Sequence, residues 1–91
     1  MRPDLVLVVP CYDEAARLHP QAFTDFVSAH PSARVLFVDD GSTDGTFEIL
    51  DRLRKTTPDA IGVLRLSTHQ GKAEAVRLGI LEGIRQQAGL V

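Results

Sequence analysis

Short apolar runs alternate along the chain with longer segments of helical periodicity. The three runs, rich in Val, Leu and Ile, are Leu5 to Val9, Arg34 to Val38 and Ala60 to Leu66. Continuous runs of this length and composition are typical of strands that are buried on both faces of a sheet. We expect the first strand to end at Pro10, which has no backbone N–H to donate.

Two helices are predicted between these strands. The first begins at Pro20, which suits an opening helical turn, and ends near His30, because Pro31 disfavours helical geometry in the residue before it. The second begins near Asp44, a good N-cap, and ends before Pro58. The side chains expected to face inward are Phe23, Phe26 and Val27 on the first helix and Phe47, Leu50 and Leu53 on the second.

A third helix is predicted to follow Gly71 and to extend to about Gln87. Large apolar side chains repeat at every fourth position, at Val76, Ile80 and Ile84. Gly79 and Gly83 lie along one side of this helix and would permit its close approach to a sheet, at some cost in helix stability.

The alternation of strand and helix predicts an α/β fold, a three-layer, Rossmann-like arrangement around a parallel sheet. Ligands of such sheets bind beyond the carboxyl ends of the strands. Three loops are expected there, residues 10–17, 39–45 and 67–72. The chemically unusual residues of the chain are concentrated in these loops.

Composition and charge narrow the classes of function. The 91 residues are 44% apolar with a net charge of −2, which argues against binding nucleic acid through bulk charge. No run approaches the ~20 apolar residues of a transmembrane helix, and no signal peptide is recognisable. The single cysteine, Cys11, suits a reducing compartment, so the sequence predicts a cytoplasmic protein.

The loop after the first strand reads Pro-Cys-Tyr-Asp-Glu, residues 10–14. Tyr12 offers a flat aromatic face with a polar tip. Asp13 and Glu14 can accept hydrogen bonds from a ligand, or they can cap the following turn and complement its dipole.

The loop after the second strand has the strongest local signal, Val-Asp-Asp-Gly-Ser-Thr-Asp-Gly-Thr over residues 38–46. Gly41 permits a positive φ and Asp44 can start the helix, so turn geometry explains these two residues well. It explains Asp39 and Asp40 poorly. Either carboxylate could accept the imide N–H of a uracil or the hydroxyl groups of a ribose.

The loop after the third strand contains Gly71 and Lys72 at a predicted helix start, where backbone N–H groups favour an anion. Lys72 is therefore a candidate diphosphate contact, although a lysine in such a place is more often simply solvated. The spacing is not that of a P-loop. His69 has no clustered His or Cys partners, which argues against a metal-ligand role.

Three segments together resemble the amino-terminal half of a family 2 glycosyltransferase, nearest to the branch that uses dolichyl or polyprenyl phosphate acceptors. They are Pro10-Cys-Tyr-Asp-Glu14, Asp39-Asp-Gly-Ser-Thr-Asp-Gly-Thr46 and Gly71-Lys-Ala-Glu-Ala-Val-Arg-Leu-Gly79. The resemblance implies a GT-A fold with strand order 3-2-1 and a nucleotide-activated sugar as donor, a UDP-sugar rather than a GDP-sugar. It implies an inverting transfer of a hexose.

The resemblance also implies roles for individual residues. Pro10, Tyr12 and Glu14 would contact the nucleoside, Asp40 would meet the base with Asp39 in support, and Lys72 would lie near the diphosphate. Asp13 stands where the family usually has Asn, and Asn is common at the position of His69. With Gly41, which shapes the second loop, and Asp13, these residues form the predicted nucleotide site.

The family's D-x-D metal motif, catalytic base and acceptor-binding half would follow Val91. Residues 1–91 are therefore predicted to be the nucleotide-sugar-binding half of a domain, inactive alone and without catalytic or metal-binding residues. Mg²⁺ or Mn²⁺ and a peripheral place at the inner membrane face are expected for the full-length enzyme. Without a fourth strand beside it, the run Leu5 to Val9 would be an open edge, which predicts self-association.

Two other functions are considered. A dinucleotide-binding Rossmann half would suit an acid after the second strand, but the first loop has no glycine to let the backbone approach a pyrophosphate. A non-catalytic remnant or interaction module of the same fold remains the alternative.

Overall fold

A computed structural model describes residues 3–87. It contains three strands and three helices in strict alternation. In chain order these are β1 Leu5–Cys11, α1 Pro20–Ala29, β2 Ala33–Asp40, α2 Thr46–Thr56, β3 Ile61–Leu66 and α3 Lys72–Gln87. The predicted elements are all present, and their predicted bounds agree with the structure to within about two residues.

The strands form one parallel sheet in the order β1-β2-β3, with β2 in the centre. This confirms the predicted α/β class and strand order. The register brings Cys11 beside Asp39, and Asp39 beside Arg65, at the carboxyl end of the sheet. The loops that follow the three strands therefore start from adjacent points on one edge.

Helices α1 and α2 cover one face of the sheet. Val35 and Phe37 of β2 are completely buried there against Leu50 and Leu53 of α2. Phe23 of α1 meets the Phe37 ring edge-on, with ring centroids 4.8 Å apart. These contacts place the hydrophobic core between β2 and the two helices.

Helix α3 covers the opposite face, and it does so through its smallest residues. A Cβ added at Gly79 would lie 2.5 Å from Val8 Cγ1, and one at Gly83 would lie 3.3 Å from Val6 Cγ1. The helix backbone thus rests on β1, as the glycine pattern predicts.

The regularly spaced residues Ile80 and Ile84 do not face the sheet. Their side chains are 48% and 57% exposed, because the sheet contacts the stripe that contains Gly79 and Gly83. Each isoleucine follows one of these glycines and is rotated about 100° away from the sheet. Val76 is half-buried.

Two predicted boundaries also change. β1 continues through Pro10 to Cys11, since an edge strand tolerates a residue without an N–H. α2 starts at Thr46 rather than near Asp44, with Gly45 at the N-cap position. Within residues 3–87, no helix has both the length and the apolar composition needed to cross a bilayer.

Candidate nucleotide-binding cleft

A cleft of about 230 Å³ opens at the carboxyl end of the sheet. Its wall takes residues from all three loops that follow the strands. They are Pro10, Cys11, Tyr12, Glu14, Asp40, His69 and Lys72. Five of the eight predicted nucleotide-binding residues are therefore brought together in one cavity: Pro10, Tyr12, Glu14, Asp40 and Lys72.

Asp40 lies at the floor of this cleft and is only 2% exposed. Its Oδ1 accepts a hydrogen bond from the N–H of Gln70 at 2.7 Å, and its Oδ2 accepts one from the N–H of Gly71 at 2.9 Å. These bonds satisfy a buried carboxylate, which would otherwise be costly. They also hold the entry to α3 against the end of β2.

His69 contacts the same carboxylate from the cleft side, with Nδ1 3.0 Å from Asp40 Oδ2. Its ring stacks on Tyr12, with centroids 3.9 Å apart and an angle of 27° between the planes. Sequence reasoning set His69 aside as a metal ligand and so omitted it from the site. Its position in a loop at the carboxyl end of β3 was the available signal.

The neighbouring Asp39 is completely buried but belongs to a different environment. Its Oδ1 accepts the N–H of Ser42 at 3.2 Å, and its Oδ2 has no hydrogen-bond partner among residues 3–87. The nearest cation is Arg65, with Nε 3.7 Å from that oxygen. The Arg65 guanidinium also lies 3.8 Å from the ring centroid of Phe47. Asp39 thus faces Arg65 and does not line the cleft.

Gly41 turns the chain after β2 and has a φ of 71°, as its sequence context predicts. A Cβ at this position would lie 2.5 Å from the backbone N of His69 and 2.6 Å from the carbonyl carbon of Thr68. Glycine is therefore required both by the backbone conformation and by the close approach of the third loop. Gly41 shapes the cleft from outside its wall.

Asp13 links the first loop to the second instead of lining the cleft. Its backbone N–H donates to Ser42 Oγ at 3.0 Å, and its Oδ1 accepts the N–H of Thr43 at 2.9 Å. Its φ of 49° lies in the left-handed region, which Asp and Asn tolerate better than other non-glycine residues. A side-chain oxygen that accepts the Thr43 N–H, and a backbone in the left-handed region, together account for an Asp or Asn at position 13.

A second brace runs through Thr46, which is completely buried. Its Oγ1 accepts the N–H of Glu14 at 2.8 Å and donates to Asp44 Oδ1. The other oxygen of Asp44 accepts the N–H of Ala15 at 3.3 Å. The Thr46 hydroxyl and backbone bonds from Thr46 and Ala15 hold the pKa of Asp44 below its usual value.

The charged side chains that line the cleft differ in whether they already form an ion pair. The Glu14 carboxylate pairs with Arg17 at 3.0 Å. Lys72 is exposed at the start of α3, and within residues 3–87 its ammonium group has no ion-pair partner. Lys72 is thus a cation that lines the cleft beside a helix N-terminus, where an anion is favoured.

Cys11 lines the inner end of the cleft and is 3% exposed. Burial, together with the nearby carboxylates of Glu14 and Asp39, raises the pKa of its thiol to about 12. The thiol is therefore protonated at neutral pH and acts as an apolar wall rather than a nucleophile.

No three acidic, histidine or cysteine side chains within residues 3–87 are grouped so as to hold a metal ion. The Asp40 oxygens already accept backbone N–H groups, and Asp39 faces Arg65. The donor set described here does not by itself fit a divalent cation site.

Residues 6–82 match the profile of Glycosyl transferase family 2. The chain belongs to this family. This match confirms the resemblance of the three loop segments to family 2 glycosyltransferases. It argues against a dinucleotide-binding Rossmann half.

Two relatives show the range of the match. The chain is 32% identical over 81 residues to a polyprenol monophosphomannose synthase of Mycolicibacterium smegmatis, which covers 89% of the chain and 30% of that protein. It superposes with a TM-score of 0.71 and 28% identity on a mannosyltransferase from Pyrobaculum calidifontis solved with GDP-Man and Mn²⁺, which covers 90% of the chain and 25% of that protein. The chain thus spans less than a third of either relative.

Proposed function

We propose that this chain is the nucleotide-sugar-binding part of a glycosyltransferase and that its cleft receives the nucleoside diphosphate. The observation that carries the proposal is the cleft at the carboxyl end of the sheet, where Tyr12, Asp40 and Lys72 meet. They offer an aromatic face, a buried carboxylate and a free cation. These are complementary to a base, to its N–H groups or ribose hydroxyls, and to a diphosphate.

Lys72 is the residue we assign to the diphosphate. It is the first residue of α3, so its ammonium group and the helix N-terminus act on the same anion. Lys55 is the only other lysine of the chain, and it lies on α2 paired with Asp51 at 3.2 Å. This pair of lysines allows a matched test of charge inside and outside the cleft.

The donor is better represented by GDP-mannose than by the UDP-sugar that the sequence resemblance favoured. The solved relative is a complex with GDP-Man, and the mycobacterial relative is named a monophosphomannose synthase. Both uracil and guanine present a ring N–H. The Asp40 carboxylate alone therefore does not discriminate between these two bases. We therefore propose a GDP-sugar and retain UDP as the comparison ligand.

For the whole protein we propose inverting transfer of a hexose to a polyprenyl phosphate, in line with the name of the mycobacterial relative. Within residues 3–87 the side chains supply binding and orientation of the donor only. A divalent cation would stabilise the leaving diphosphate in such a reaction. Since the donor set here does not fit a cation alone, we expect Mn²⁺ to bind this chain only together with the nucleotide.

The test is a titration of the ¹⁵N-labelled chain with GDP, UDP and ADP, followed by amide chemical shifts. We expect GDP to shift the amides of residues 11–14 and 67–72, and Lys72→Gln to weaken that binding about 3–10-fold, as loss of one charge-assisted contact would. Lys55→Gln should bind as the wild type does.

The absence of shifts in these loops at millimolar nucleotide would contradict the proposal and favour the non-catalytic alternative. Calorimetry with Mn²⁺ alone gives a separate check. Micromolar binding without nucleotide would contradict the dependence of the metal on the diphosphate.

A further inference from the structure

We propose that His69 occupies the base subsite of the free chain and that the nucleobase displaces it on binding. The inference rests on the proposed function and concerns how that site is controlled. His69 makes both contacts that a base is expected to make there. Its ring stacks on Tyr12, and its Nδ1 lies 3.0 Å from Asp40 Oδ2.

The stacking contact leaves no room for a second ring between the two. The centroids of Tyr12 and His69 are 3.9 Å apart, which is direct contact between aromatic planes. A base inserted between them would need about twice this separation. A base that uses this face of Tyr12 therefore takes the place of the imidazole.

The base and His69 would also compete for the polar contact with Asp40. Each oxygen of the Asp40 carboxylate already accepts one backbone N–H, Oδ1 that of Gln70 and Oδ2 that of Gly71. The ring nitrogen Nδ1 of His69, which also lines the cleft, lies 3.0 Å from Oδ2 and 3.3 Å from the backbone carbonyl oxygen of Asp40. An N–H of a base that reaches Asp40 from the cleft would replace that nitrogen.

His69 can leave without rearranging the fold. Its side chain is 49% exposed, whereas the backbone that follows it is held by the bonds from Gln70 and Gly71 to Asp40. The backbone of His69 also lies against Gly41. Rotation about the side-chain torsions is therefore sufficient to open the subsite.

The experiment measures the dissociation constants of GDP and UDP for the wild type, His69→Ala and His30→Ala. His30 is the matched control, because its ring also stacks on an aromatic residue, Phe26, at 4.5 Å, but it directly follows the last residue of α1 and does not line the cleft. We expect His69→Ala to bind about 3–10-fold tighter than the wild type at pH 7, because the competing closed state is removed. His30→Ala should be unchanged.

A further measurement supports or overturns the inference. In the wild type, nuclear Overhauser contacts between the Tyr12 and His69 rings should be present in the free chain and lost in the complex. This measurement does not depend on the folding of a variant.

Weaker or unchanged binding by His69→Ala, or ring contacts that persist in the complex, would overturn the inference while the proposed function stands. If neither the wild type nor any variant binds either nucleotide, the proposed function fails and the inference fails with it. The two failures are thus distinguishable.

Discussion

The backbone N–H of Gly71 donates a hydrogen bond of 2.9 Å to Oδ2 of Asp40. Gly71 immediately precedes α3, and its carbonyl accepts the N–H of Ala75 in the first turn of that helix. A carboxylate at the end of β2 therefore caps a helix through Gly71, which lies 31 residues later in the chain. The same carboxylate lines the cleft, so we expect both the stability of the fold and the proposed nucleotide binding to depend on this side chain.

Asp40→Asn tests this double role. The amide would turn its NH₂ group toward one of two backbone N–H donors and leave that donor unsatisfied. We expect a loss of about 1–3 kcal/mol in the free energy of unfolding, together with weaker nucleotide binding. Urea denaturation measures the first effect, with the exposed Asp59→Asn as control. Wild-type stability of Asp40→Asn would contradict the capping role.

Thr46→Val tests the brace between the first two loops. The substitution preserves shape but removes the hydroxyl that accepts the Glu14 N–H and donates to Asp44. We expect a loss of about 1–3 kcal/mol in the free energy of unfolding, because a donor in the interior loses its partner.

Removal of the hydroxyl should also raise the pKa of Asp44 toward its usual value, since the Thr46 side chain is the largest cause of its depression. A depressed carboxyl pKa stabilises the fold above the unfolded value, and this contribution is lost as the pH falls through the folded one. The acid sensitivity of the wild type should therefore diminish in Thr46→Val. Thr24→Val, which removes an exposed hydroxyl on α1, is the control.

Gly79→Ala and Gly83→Ala form a matched pair on α3. A Cβ at Gly79 would lie 2.5 Å from Val8 Cγ1 and 2.7 Å from Val38 Cγ2, both on stiff side chains, so the helix must move away from the sheet. We expect Gly79→Ala to cost about 1–3 kcal/mol. At Gly83 the nearest atom is 3.3 Å away, and the gain in helix propensity of about 1 kcal/mol should offset the crowding. Equal effects in thermal unfolding would contradict this packing.

Cys11 should resist alkylation in the folded chain. Its thiol is buried with a pKa of about 12, so almost no thiolate is present at pH 8. Since it is the single cysteine, iodoacetamide labelling followed by mass spectrometry reports on it alone. Rapid modification without denaturant would show that the residue is accessible.

The raised pKa also predicts a pH effect on stability. Between its ordinary value of 9.0 and about 12, the thiol keeps its proton in the folded state and loses it in the unfolded state. Stability should therefore fall as the pH rises through this window. Cys11→Ala should lose this part of the alkaline dependence.

The outer edge of β1 has no partner strand among residues 3–87, and Leu5 and Leu7 are 52% and 39% exposed. We expect the 91-residue chain to self-associate through this edge, as the sequence predicts. Leu7→Lys should reduce the mass measured by analytical ultracentrifugation. Ile84→Lys removes a comparable exposed side chain from α3 and separates strand pairing from general loss of apolar surface. A monomeric wild type at millimolar concentration would contradict the prediction.

Local patterns in the sequence were sufficient to predict the secondary-structure elements and the edge of the sheet where the candidate cleft lies. Three strands and three helices were predicted from the apolar runs, from the prolines at the two ends of α1 and from the glycines of α3. Parallel pairing then required the three unusual loops to meet at one edge. These features depend on residues close together in the chain, whose periodicity and turn chemistry are readable directly.

Only the tertiary structure decided which contacts each residue of the candidate site makes. Asp39 and Asp40 are adjacent and chemically identical, yet one faces Arg65 and the other caps α3. Ile80 and Ile84 are exposed because the backbone of α3 approaches Val8 closely at Gly79, and hydrophobic spacing does not specify that distance. His69 enters the cleft because the third loop lies against Gly41. Each outcome is set by contacts between residues far apart in the chain, and no local pattern encodes the distance across such a contact.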